Sequence, residues 1–271
     1  MTEIVRDTSP DSLAHANEAN LTQGFAEVAL AYGGDVRDES DLAWAATCLP
    51  AAGWNRVTRA QLAPDTLDAR IQWVLDRAHA LGVPFQWDIS PSTRPADLGD
   101  HLLRHGFADG GGEPAMGVAL ARLPAALPLP DGVTVERVAD AAAMEHWVRT
   151  VLVGFGAPAS ATADYLPRMS RDVAGPNPAA HYYLARLHGE PVAGAALTTA
   201  GGVAGIFSVA TIESARRMGI GAAVTMAPLL DARTRGYHVG VLQASEMGYP
   251  VYARMGFTEQ FRYQSYTWCP A

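Results

Sequence analysis

Lysine is absent from this sequence of 271 residues, so that all 20 of its basic residues are arginine. We interpret this usage as the codon bias of a GC-rich bacterial genome. The absence excludes a phosphate-binding loop of the Walker type, because that motif requires a lysine.

Cysteine is scarce, and long apolar runs are missing. Cys48 and Cys269 are the two cysteines, and their spacing fits neither a disulfide framework nor a metal cluster. We therefore expect a reduced, cytoplasmic protein without a metal site. The first twelve residues lack an apolar core behind a basic start, which predicts no signal peptide. No apolar run reaches the roughly 18 residues of a membrane helix, so we expect a soluble protein.

The charge balance is acidic, with 28 Asp and Glu residues and a net charge of -8. An acidic chain repels phosphate backbones, so nucleic acid is not an expected partner. A cationic amine would be attracted instead. Hydrophobic residues make up 49% of the sequence, which is enough for a globular core.

A proline-rich stretch divides the chain into two halves of similar size. Residues 123–132 read LPAALPLPDG, and their three prolines disfavour helix and indicate an extended linker. We therefore predict an N-terminal domain over residues 1–122 and a C-terminal domain over residues 133–271.

The C-terminal half has a readable order of elements, β-α-α-β-β-β-α-β-α-β. The predicted ranges are strand 133–138, helices 139–153 and 161–173, strands 181–187, 191–199 and 203–211, helix 218–235, strand 239–244, helix 250–255 and strand 261–268. The N-terminal half carries a strand at 83–89 and a helix at 96–104. The sequence Arg104-His-Gly-Phe107 then echoes Arg254-Met-Gly-Phe257. The echo favours a duplication over coincidence.

A turn rich in glycine and arginine follows the strand that ends at Thr211. Gly219 and Gly221 let the backbone approach a ligand closely, and the first N–H groups of the next helix have no internal partner. These amides lie at the positive end of the helix dipole, an arrangement that binds phosphate oxygens. A Gly-x-Gly pair alone is more often a tight turn, and the third glycine of a dinucleotide motif is missing.

The fuller pattern resembles the Gcn5-related N-acetyltransferase (GNAT) superfamily. Arg216-x-x-Gly219-x-Gly221 is similar to the pyrophosphate motif of that family, and Tyr252-x-x-x-Gly256-Phe257 is similar to its second signature. The resemblance covers residues 132–271 well. The N-terminal half has no such glycine motif, and the chain resembles tandem members in which one half is degenerate.

The resemblance implies an α/β fold of two tandem GNAT-like domains, each with a mixed, mostly antiparallel sheet flanked by helices and with splayed central strands. It also implies acetyl-CoA as cosubstrate, bound where those strands diverge. The cofactor-binding residues would then be Val209, Ala210, Thr211, Arg216, Arg217, Met218, Gly219, Ile220, Gly221, Ala222 and Ser245. Ser245 stands where many members have asparagine.

For catalysis, the resemblance assigns the general-acid position to Tyr252. A phenol of pKa ~10 can protonate a leaving thiolate of pKa ~8.5. Tyr249 lies on the same helical face, but its spacing from Gly256 does not fit the family. Glu246 is the candidate general base, and Glu213 is a weaker one.

The expected function is acetyl transfer from acetyl-CoA to the amine of a small molecule or peptide, by direct attack on the thioester. A different reading is a sensor or structural protein that binds acyl-CoA without turnover, and a weaker one is a nucleotide-binding protein that uses Arg216–Gly221. The sequence leaves monomer or homodimer open.

Overall fold

The computed structural model describes residues 3–175 and 180–270. The helices in these ranges are α1 Pro10–Ala31, α2 Leu67–Leu81, α3 Leu98–Arg104, α4 Ala141–Gly154, α5 Thr162–Val173, α6 Ile220–Thr234 and α7 Tyr249–Arg254. The strands are β1 Asp35–Asp38, β2 Leu42–Ala46, β3 Asn55–Ala60, β4 Phe85–Ile89, β5 Ala108–Ala119, β6 Val133–Arg137, β7 His181–Leu187, β8 Glu190–Thr198, β9 Ala204–Thr211, β10 Val239–Gln243 and β11 Thr258–Trp268. Over these ranges, every helix is too short or too polar to cross a bilayer.

The strands form one continuous mixed sheet in the order β1-β2-β3-β4-β11-β5-β10-β9-β8-β7-β6. Most neighbouring strands are antiparallel. The parallel pairs are β3 with β4 and β9 with β10, one in each half. The mixed α/β fold with a mostly antiparallel sheet confirms the predicted fold class.

The two halves exchange strands at the centre of the sheet. The C-terminal strand β11 lies between β4 and β5, both from the N-terminal half. In turn β5 pairs with β10 of the C-terminal half. The halves therefore share hydrogen-bonded backbone, and β5 brings N-terminal residues next to the C-terminal parallel pair.

The predicted order of elements in the C-terminal half is confirmed, with boundaries that shift by no more than three residues. In the N-terminal half, the strand and helix predicted near residues 83–104 are present as β4 and α3. The sequence pattern did not predict α1, β1, β2, β3 or α2.

Residues 123–132 contain neither helix nor strand. The guanidinium of Arg233 on α6 donates hydrogen bonds to four carbonyls along and just before this segment, those of Leu120, Leu123, Pro124 and Ala125. The linker is therefore fastened to the C-terminal half. The domain boundary at this linker stays a prediction, because the exchanged strands tie the halves together.

Candidate functional site

The parallel strands β9 and β10 pair at three positions and then diverge. The paired residues are Ala204 with Gly240, Gly205 with Val241 and Ile206 with Leu242. β9 continues to Thr211, whereas β10 ends at Gln243. The gap opens into a cleft of about 460 Å³. A volume of this size lies within the usual range for ligand pockets.

A β-bulge turns the backbone of β9 toward this cleft. The register with β8 shifts between Gly194 and Ala196, so that β9 contains one extra residue there. Ser208 adopts a left-handed φ of 52°. Such a conformation is uncommon for a residue with a side chain, and bulges often re-aim residues at functional sites. Ser208 and Val209 consequently line the cleft.

The segment after β9 leads into an exposed helix N-terminus. Gly219 is the N-cap residue of α6, with φ 78°, and no side chain caps the helix. Arg217, Met218 and Gly219 are exposed, and Gly221 is half-buried. Because the first amides of a helix lack intrahelical acceptors, this terminus presents N–H groups and a positive dipole end to a ligand. The terminus is therefore neither buried nor covered by the protein's own side chains.

The predicted cofactor-binding residues differ in what their side chains do. Arg216 donates hydrogen bonds to the carbonyls of Thr211 and Gly154, each at 3.1 Å, so that it fastens the turn to β9 and α4. Arg216 therefore positions the turn, and its contact with a phosphate stays a prediction. The side chains of Ile220 and Ala210 are buried in the core, which leaves only their backbone to face a ligand.

Tyr252 on α7 lines the cleft and is 7% exposed. Burial raises the pKa of Tyr252 to about 12, and hydrogen bonding to Thr225 opposes part of this rise. Thr225 lies on α6 and itself donates to the carbonyl of Gly221 at 2.8 Å. The phenol is therefore protonated throughout the neutral pH range.

Ser245 lines the cleft and accepts a hydrogen bond from the backbone N–H of Gly248 at 3.1 Å. This bond orders the turn that leads into α7. Glu246 is exposed and is not among the residues that line the cleft. Glu213 is also exposed and outside the lining. The base role of Glu246 stays a prediction that this geometry does not support.

Glu113 is a cleft residue that the sequence analysis missed. It lies on the exchanged strand β5, opposite Tyr263 of β11. Burial raises the pKa of Glu113. The positive charge of Arg56 lowers this pKa in part, and the negative charge of Asp88 raises it further. In sequence, Glu113 follows three glycines and precedes a proline, which by itself indicates no site. Only the strand exchange brings it to the C-terminal cleft.

The corresponding gap in the N-terminal half is closed by the protein's own backbone. The parallel strands β3 and β4 pair at Arg56 and Val57, and the segment after β4 then returns to pair with the end of β3. Gln61 bridges Arg94, whose N–H donates to the carbonyl of Ala60 at 3.0 Å. The end of β3 is therefore paired with the protein's own backbone.

Comparisons with known proteins agree with this geometry. Residues 146–257 match the sequence model of the acetyltransferase (GNAT) family. No curated protein matches the chain. Among solved structures, a GCN5-related N-acetyltransferase from Kribbella flavida is 21% identical, with a TM-score of 0.69 and 95% of each chain covered.

Two other solved structures share the fold over nearly the whole chain. A GCN5-related N-acetyltransferase from Sphaerobacter thermophilus is 17% identical, with a TM-score of 0.60 and coverage of 97% of this chain and 94% of the other. A tandem GNAT protein from the clavulanic acid biosynthesis pathway is 11% identical, with a TM-score of 0.55 and coverage of 100% and 99%. The matched segment contains the splayed strands, the glycine turn and α7. Residues 146–257 are therefore similar in sequence to the GNAT acetyltransferases, and the two halves together have the fold of a tandem GNAT protein.

Proposed function

We propose that this protein is an N-acetyltransferase, which transfers the acetyl group of acetyl-CoA directly to an amine of a small molecule or peptide. One observation carries the proposal. A cleft opens where β9 and β10 diverge, and β9 then leads through a short turn into an exposed and uncapped helix N-terminus. These two features match the two ends of the cosubstrate, an extended thioester arm and an anionic diphosphate.

The diphosphate would bind the amides at the start of α6, between Gly219 and Ala222. The dipole of this 15-residue helix favours an anion there, and the exposed Arg217 adds charge. The amides of the pantetheine arm would pair with the backbone of Val209–Thr211, as an added strand pairs with a sheet edge.

In the reaction, the amine nitrogen attacks the thioester carbon, a C–N bond forms and the C–S bond breaks. Negative charge develops on the carbonyl oxygen, and a backbone N–H at the bulge near Val209 would stabilise it. Tyr252 would donate a hydrogen bond to the departing sulfur. Complete proton transfer from a phenol of pKa about 12 to a thiolate of pKa ~8.5 is unfavourable by about 5 kcal/mol. We therefore assign its main contribution to the hydrogen bond.

The test combines two assays on the whole chain. Thermal unfolding with acetyl-CoA, and separately with ATP, measures binding. Release of free thiol from acetyl-CoA over a panel of amines measures transfer. We expect stabilisation by acetyl-CoA but not by ATP, and amine-dependent thiol release that yields an acetylated amine by mass spectrometry.

Each alternative function has its own signature in these assays. Stabilisation by acetyl-CoA without thiol release for any amine would overturn the transferase proposal in favour of a sensor or structural role. Stabilisation by ATP alone would favour the nucleotide-binding reading.

A further inference from the structure

The lining of the cleft is mostly apolar and rich in aromatic residues. Helices α1, α4 and α5 and the turn before β3 supply much of it. Phe25 packs edge-on against Phe207 with ring centroids 5.9 Å apart, and Trp54 packs edge-on against Tyr165 at 6.3 Å. Phe155 also lines the cleft and is 63% exposed. These surfaces suit an apolar, ring-sized group.

Two charged residues, Glu113 and Arg56, lie among the described residues of the lining. Arg56 is already paired, because its guanidinium lies 3.1 Å from the carboxylate of Asp88, which is 1% exposed. The same guanidinium lies over the ring of Phe25, 4.8 Å from the centroid. An acceptor with a carboxylate would therefore find no unpaired cation in this part of the cleft.

Glu113 differs from Arg56 because its charged group has no close partner. Within residues 3–175 and 180–270, its side chain makes no hydrogen bond and no ion pair. Burial in the cleft raises the pKa of this carboxyl, as expected for a charge that is partly removed from water. A cation bound beside it would relieve that cost, and carboxylates of this kind are frequent at functional sites.

We propose that the acceptor is a primary amine on an apolar, aromatic-sized body without a carboxylate, and that Glu113 binds its ammonium group and then takes its proton. The inference rests on the proposed acetyltransferase function and deepens it. In this proposal the acceptor binds, in the cleft of the C-terminal half, to a residue of the N-terminal half that lies on β5.

Glu113 accepts one proton from the ammonium, and the neutral amine attacks the thioester. The nitrogen of the tetrahedral intermediate loses a second proton as the C–S bond breaks, and the thiolate gains one beside Tyr252. The products are the acetamide and the thiol of coenzyme A, and Glu113 returns its proton to water.

The experiment compares three amines and four variants in the thiol-release assay. Phenethylamine is the expected acceptor class, ethanolamine lacks the apolar body, and phenylalanine adds a carboxylate. We expect kcat/KM to be highest for phenethylamine and at least ~10-fold lower for the other two. For Glu113→Gln we expect a loss of ~10²-fold or more, the usual size of a general-base effect. Glu113→Asp should restore part of it.

Glu190→Gln is the matched control, since Glu190 is exposed at the start of β8 and outside the cleft lining. It should leave kcat/KM unchanged, and none of the variants should alter the affinity for coenzyme A. In wild type, kcat/KM should fall as the pH falls through the raised pKa of Glu113. The pH profile of Glu113→Gln should lack this decrease. The charged and titratable groups that face Glu113 are Arg56 on β3, Asp88 on β4 and Tyr263 on β11.

Calorimetry of phenethylamine binding in the presence of coenzyme A separates this inference from the proposed function. Binding that requires Glu113, without thiol release for any amine, would overturn the transferase function and support the acceptor site. Thiol release that prefers ethanolamine or phenylalanine, or that survives Glu113→Gln unchanged, would support the function and overturn this inference. Loss of activity in Glu246→Gln but not in Glu113→Gln would also overturn it.

Discussion

Replacing Gly219 with glutamate would place a carboxylate where the diphosphate is proposed to bind. Gly219 has φ 78°, a left-handed conformation in which a side chain costs about 1–2 kcal/mol. Space is not the obstacle, because a Cβ there would lie 3.4 Å from its nearest neighbour, the Cγ of Pro130. An acidic residue at a helix N-terminus is stabilising, which offsets part of the strain. We therefore expect the variant to fold.

The effect on binding should be much larger than the effect on folding. Two unit charges about 4 Å apart repel each other by about 4 kcal/mol at the effective dielectric constant of a protein surface. That energy corresponds to an increase of about 10³-fold in the Kd for coenzyme A. Isothermal titration calorimetry of both proteins would measure this change directly.

Gly236→Glu is the matched control at the other end of the same helix. Gly236 has φ 89°, and no atom lies within 4 Å of a Cβ placed there. The control therefore adds a similar strain and the same charge, and the helix dipole makes it the less stable of the two. It should lower the melting temperature and leave the Kd unchanged. A wild-type Kd for Gly219→Glu, or equal losses in both variants, would refute the placement of the diphosphate.

Three further changes test other parts of the site. Tyr252→Phe should lower kcat by about 10–10²-fold in a steady-state assay, as expected for a lost hydrogen bond to a charged group, and should leave the Kd for coenzyme A unchanged. A larger effect of Tyr249→Phe in the same assay would assign the role to Tyr249 instead. Arg216→Leu removes two hydrogen bonds to carbonyls and should cost about 1–3 kcal/mol in urea unfolding; unchanged stability would contradict its role in fastening the turn. Because the folded-state pKa of Glu113 is raised, its contribution to stability is lost as the pH rises through that value. Glu113→Gln should therefore raise the melting temperature at pH 8 relative to wild type but not at pH 4, and the reverse order would contradict the buried-charge argument.

Local patterns predicted the C-terminal half well because its elements carry strong periodicity and clear turns. The strand at 181–187 was predicted with its observed boundaries, and the glycine turn was placed correctly between β9 and α6. Both features depend on residues that are close in sequence. Sequence alone could therefore supply most of the proposed cofactor-binding segment.

Helix α1 was missed because its burial does not follow an apolar stripe. Asn17 and Asn20 are fully buried and donate hydrogen bonds to residues on or directly after distant strands. A Cβ at Gly205 would lie within van der Waals overlap of the Asn20 side chain, so the helix packs unusually close to β9. This packing requires polar and small residues where a pattern search expects large apolar ones.

Glu113 and the closed N-terminal gap were missed for a different reason. Strand β5 pairs with β10, and the chain at Arg94 pairs with the end of β3. Both pairings join segments that are far apart in sequence. Alternation along a single strand cannot encode that choice of strand partner. The proposed acceptor side of the cleft therefore becomes visible only in three dimensions.

The most direct test of the central claim is a crystal structure of the full chain with coenzyme A. We expect one molecule per chain, with its diphosphate on the amides of Gly219–Ala222, its pantetheine arm along Val209–Thr211 and its sulfur near Tyr252. Coenzyme A bound in the N-terminal half, or bound to the C-terminal half away from the start of α6, would contradict the account.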